Sequence, residues 1–174
     1  MTSSWTLGYL TVAAFPGFDS VGIDLYRSNR EIEDDDEETR EYITVGGEAT
    51  FAYPIGAYTD ASISYKHEDE RLAGTDDWTP IDSVGLAVTY DDVNDPSFPT
   101  RGNRQIVRLD KAGGFASGEE YTKLSLLWVE FTPANCFLFG DLDQAFGIRL
   151  LAGWADEGLP KTQAFTLEIG RAHV

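Results

Sequence analysis

Basic residues are scarce in this chain of 174 residues: 13 Lys and Arg stand against 30 Asp and Glu, a formal net charge of −17. Phosphate binding needs clustered cations, so a nucleic-acid partner is excluded. Cysteine is nearly absent. Cys136 stands alone, which rules out an intrachain disulfide and a Cys-based metal cluster. The two histidines, His67 and His173, fall at a charged strand end and among the last residues, so no Cys–His nucleophile pair is expected. Long hydrophobic runs are missing as well, and without about 18 consecutive apolar residues there is no membrane-spanning helix. Met1 is followed by Thr2-Ser3-Ser4-Trp5, which lacks the basic and apolar regions of a signal peptide.

Helical periodicity is also lacking, because apolar residues rarely recur at three and four. Period two is what the chain has, and it is the period of a strand with one apolar face. Val21, Ile23 and Leu25 alternate with Gly22, Asp24 and Tyr26. Ala61, Ile63 and Tyr65 oppose Ser62, Ser64 and Lys66, and Val84, Leu86, Val88 and Tyr90 oppose Gly85, Ala87 and Thr89. Leu124, Leu126 and Trp128 oppose Lys123 and Ser125, and Phe146, Ile148, Leu150 and Trp154 oppose Gly147, Arg149 and Gly153. The pattern predicts about eight strands, at roughly 4–14, 20–31, 41–54, 57–68, 80–91, 102–111, 120–131 and 144–155, with a ninth beginning near 163. Such lengths match the ~9–11 tilted residues that cross a bilayer.

The connections alternate in character. Phe15-Pro16-Gly17, Tyr53-Pro54-Ile55-Gly56, Asp95-Pro96-Ser97-Phe98-Pro99 and Thr132-Pro133 predict tight turns. Residues 32–40, 69–79, 112–119 and 155–162 predict polar, acidic loops at the opposite end. The densest acid, Glu31 to Glu38, repels itself and reads as a solvated loop; it lacks the glycine and ligand spacing of a calcium loop. Short turns at one end and longer loops at the other are the asymmetry of an outer-membrane barrel. Trp5, Tyr9, Tyr53, Tyr65, Tyr90, Trp128 and Trp154 fall towards strand ends, as interfacial girdles do. A soluble β-sandwich shares the alternation, and in that class 30 acids and four Trp suggest a carbohydrate-active module. Only Glu48 and Glu130 among the acids lie tempting in strands, and no motif pairs them. The second face, rich in Gly, Ser, Ala and Thr with Glu48, Lys66, Arg108 and Arg149, favours a barrel lumen.

Four ordered stretches resemble the bacterial surface-antigen family of outer-membrane barrels, the BamA–TamA-like family. They are Val45 to Tyr65, Val84 to Val107 around the turn Phe98-Pro99-Thr100-Arg101-Gly102, Tyr121 to Pro133, and Phe146 to Phe165 with Gly153-Trp154 and Gly158-Leu159-Pro160. The resemblance implies an all-β, antiparallel up-and-down transmembrane barrel, here partial, over residues 1–167. Residues 168–174 depart from the family and are expected to be a non-native tail. In the family, the segment after Gly158-Leu159-Pro160 leads into a loop that folds back into the lumen, and the motif of that loop is not matched here. The implied function is that of an assembly factor that folds and inserts other β-barrels into the bacterial outer membrane. Related family barrels instead secrete a partner protein or carry a patatin-like lipase. The implied partners are outer-membrane lipid, client β-barrels and assembly-complex lipoproteins. No enzyme activity, cofactor, metal or catalytic residue is expected. Phe98, Pro99, Thr100, Arg101 and Gly102 are expected to be a structural turn.

Overall fold

The computed structural model describes residues 4–15, 18–33, 39–114, 118–133 and 145–163. Eight antiparallel strands follow in chain order: β1 Ser4–Phe15, β2 Phe18–Glu33, β3 Thr39–Gly56, β4 Thr59–Leu72, β5 Thr79–Asp91, β6 Gly102–Ala112, β7 Tyr121–Pro133 and β8 Ala145–Ala155. They form one sheet in which each strand pairs with its sequence neighbour. This is up-and-down topology without a crossover. Strand lengths run from 11 residues in β6 to 18 in β3, well beyond the usual 5–6 of soluble sheets.

Several strands outrun their expected ends. Glu31, Ile32 and Glu33 pair with Glu41, Arg40 and Thr39, so the start of the acidic block is strand and not loop. β4 likewise continues to Leu72, shortening the expected loop at 69–79. Backbone pairing with a neighbour outweighs the local preference of acidic side chains for turns. Pro54 stays in β3 opposite Asp60, with a register shift before Gly56 that absorbs its missing donor. The expected ninth strand beginning near 163 lies, from residue 164 on, outside the described residues. After Pro160 the chain makes a 3₁₀ turn, Lys161–Gln163, and the Thr162 hydroxyl and the Gln163 amide turn inwards to β4. The expected positions of Cys136, His173 and the tail 168–174 lie outside the described residues.

Register separates two faces, with Ile106, Leu127, Val129 and Leu151 as apolar residues on the inner one. Ile23, Leu25, Phe51, Ile63, Tyr65, Leu86, Val88, Val107, Leu109, Leu124, Leu126, Leu150 and Trp154 share one face, and all are exposed. The other face carries the buried polar groups Thr44, Ser64, Glu68, Glu70 and Ser83. The buried apolar cluster is small: Ile81, Ala112 and Tyr121, capped by Leu159. Apolar outside and polar inside inverts the soluble arrangement.

The sheet curls into a half-barrel with the polar face inside. Arg30 on β2 and Lys123 on β7 both donate to the segment that follows β8, at Thr162 O and Gln163 O, each at 2.7 Å. Five strand spacings of ~4.8 Å would hold the two side chains roughly 24 Å apart on a flat sheet. Only a concave sheet lets both reach neighbouring carbonyls.

Candidate functional site on the concave face

Two polar systems occupy the concave face. The first is centred on Arg108 of β6. Its Nε donates to Asp110 Oδ1 at 2.8 Å, and its Nη2 donates to Glu48 Oε1 at 2.8 Å and Ser64 Oγ at 3.1 Å. One guanidinium therefore ties β6 to β4 and β3. Gly85 on β5 lies beneath it: a Cβ there would sit 2.6 Å from Ser64 Oγ and 2.7 Å from both Arg108 Nη2 and Asp110 Oδ1. The absence of a side chain at Gly85 is what leaves room for the crossing.

The second system holds the segment after β8 against the sheet. Asp156 begins it, its amide donating to Thr122 O at 3.1 Å and its Oδ2 accepting from Thr122 N at 2.8 Å. Leu159 then seats on the Ile81–Ala112–Tyr121 cluster. Thr162, itself buried, donates from Oγ1 to Glu70 Oε2 at 2.6 Å. Gln163 donates from Nε2 to Glu68 Oε2 at 2.9 Å and to Glu70 Oε1 at 3.2 Å, while its Oε1 accepts from Lys66 Nζ at 3.1 Å. Lys66 also pairs with Glu68 at 2.7 Å, and the Tyr26 hydroxyl donates to Glu68 from across β3. Two inward carboxylates at alternate positions of β4 thus grip a strap that crosses the loop end of the concave face. A cavity of about 500 Å³ remains beside the strap, bordered by Tyr42, Glu70, Leu72, Asp77 and Leu159.

Phe98, Pro99, Thr100, Arg101 and Gly102 lie at the other end, in the connection between β5 and β6. Side chains brace this turn. Asn94 Oδ1 accepts from Thr100 N and Arg101 N at 3.1 and 3.0 Å, and Asp95 Oδ1 accepts from Ser97 N and Phe98 N at 2.8 and 3.2 Å. Asp91 Oδ1 accepts from Val93 N at 3.2 Å. Gly102 has φ 104°, and a Cβ there would lie 2.5 Å from Asp92 O, so only glycine fits. The motif residues do not converge with the Arg108 system or the strap. Arg104 pairs with Asp91, its Nε 2.7 Å from Oδ2, and Arg149 shares its face. Glu130, on the convex face, is not brought near Glu48. Among the described residues, no group of three or more His, Cys, Asp or Glu converges as a metal site.

Sequence reasoning missed the strap contacts of Glu68, Glu70, Lys123, Thr162 and Gln163. The available signal was the pair Glu68 and Glu70, two carboxylates pointing to the face that elsewhere carries Gly, Ser and Thr.

A family model described as the Omp85 superfamily domain matches residues 2–169. The chain belongs to this superfamily. No curated protein matches it. Omp85 proteins are bacterial outer-membrane proteins that work with the membrane and client proteins in insertion or secretion, and they act without enzymatic chemistry. An Omp85 sheet with an exposed apolar convex face and a polar, strapped concave face is a barrel wall. The soluble sandwich has no counterpart here, because the described strands make one sheet and the apolar face is left uncovered.

Proposed function

We propose that the chain is a membrane-embedded wall of a BamA-like assembly factor, which folds and inserts other β-barrel proteins into the bacterial outer membrane. The observation that carries this is the inverted sheet of an Omp85 domain, apolar outwards from β2 to β8 and polar inwards around a docked strap. Lipid offers no hydrogen bonds, so a client strand in the bilayer is stabilised by pairing its backbone with an existing sheet. No nucleotide or covalent step is required. Outer-membrane lipid, client barrels and assembly lipoproteins are the partners of this reading. Residues 168–174 are read as foreign to the domain.

Depletion of the protein in its host tests this directly. The expected result is a general loss of folded barrels from the outer membrane, with unfolded clients accumulating before insertion. Loss of a single exported protein, with the barrel population unchanged, would assign the chain to the secretion branch of the superfamily instead.

A further inference from the structure

At the turn end of the concave face, far from the strap, one cation stands alone. The other inward cations are engaged: Arg108 with Glu48 and Asp110, Lys66 with Glu68, and Arg104 with Asp91. Arg30 and Lys123 hold the strap carbonyls. Arg149 has no hydrogen-bonding or ion-pairing partner among the described residues, although the chain carries 30 acids. It borders a groove of about 360 Å³ whose floor is apolar on an otherwise polar face. Leu127, Val129 and Phe131 form that floor, at alternate positions of β7. Gly147 on β8 leaves room for the Phe131 ring, since a Cβ there would lie 3.2 Å from it. Pro96 and Pro99 of the β5–β6 turn make the opposite wall, and the Asn94 and Asp95 side chains fix that turn. Arg104 also borders the groove, but Asp91 neutralises its charge. An apolar cleft at the small end of ligand-sized cavities, with one free charge beside it, suits an apolar body with a single anionic end.

We propose that this groove binds a small monocarboxylate with an apolar body, an arylalkyl or medium-chain acid. The body lies against Leu127, Val129 and Phe131, facing Pro96 and Pro99. The carboxylate accepts two parallel N–H bonds from the Arg149 guanidinium, whose planar fork matches its two oxygens. The braced turn and the strand floor are already ordered, so little conformational freedom is lost on binding. A neutral molecule of the same shape leaves Arg149 unpaired, and a cation meets like charge.

The test is a ligand-observed NMR titration of the chain in phospholipid nanodiscs, with empty nanodiscs as the blank. The probes are 4-phenylbutyrate and its neutral amide, which share one shape. For a ligand of about a dozen heavy atoms, the acid should bind with a Kd on the order of 0.1–1 mM. It should bind about tenfold more tightly than the amide, the gain from a charge-assisted pair. Arg149→Gln should weaken the acid about tenfold and leave the amide unchanged, which reports an intact groove. Val129→Trp, which fills the floor, should weaken both probes. Equal binding of acid and amide, or acid binding unmoved by either variant, overturns the site. An extended peptide bearing Phe and Asp that displaces the acid and binds at least about tenfold more tightly would make the groove a polypeptide site, and the small-acid assignment would fall.

Discussion

Arg108 shows how much can hang on one side chain and on the absence of another. Its side chain is 30% exposed, and those of Glu48 and Asp110 less, so the contacts are only partly screened. Arg108→Met should destabilise the sheet by about 2 kcal/mol, because it leaves two carboxylates without their cation. Adding Glu48→Gln should recover part of that loss, and a double-mutant cycle on urea midpoints in lipid vesicles reads the coupling. No recovery would mean that Arg108 acts through packing alone. Gly85→Val should reproduce the Arg108→Met loss, since its added carbons occupy the space the guanidinium crosses. Alternation in the sequence placed Arg108 and Glu48 on one face, but not together. They are 60 residues and three strands apart, and their meeting depends on register, which period two leaves open.

At the scale of elements, the strands were legible and their ends were not. Period two survives in a single sequence because one face must be apolar throughout; an end depends on where a neighbour stops offering backbone partners. Glu31 to Glu33 look like loop and are strand for that reason. The strap was illegible for a related reason, since the residues that hold it come from β2, β4 and β7 and meet only when the sheet curls. Glu70 is its central grip, accepting from both Thr162 and Gln163. Hydrogen bonds to a charged group are worth ~1.5–3 kcal/mol, so Glu70→Ala should raise the population of undocked strap about tenfold or more. Amide hydrogen exchange at residues 158–163 reads that population. Exchange rising at β8 as well would show that the strap and the strand open as one unit. Unchanged exchange would place the grip in Leu159 and its apolar seat.

For the whole molecule, the distribution of polarity decides which solvent the sheet was built for. Leu109 and Ser62 make a direct comparison, one on the convex face between Leu86 and Leu124, the other on the concave face between Ala52 and Ala87. In water, Leu109→Arg would cost little, because an exposed leucine contributes almost nothing to folding and a charge improves solubility. In a bilayer the same change places a guanidinium in hydrocarbon and should cost ~2–4 kcal/mol if it lies near the midplane. Ser62→Lys, facing the aqueous side of the wall, should stay within about 1 kcal/mol of the parent. Urea titrations of the folded chain in phospholipid vesicles measure both. A large loss for Leu109→Arg with a small one for Ser62→Lys is the order a barrel wall requires. The reverse order would mean that the concave face is the packed one and that another protein layer, rather than lipid, covers the apolar side.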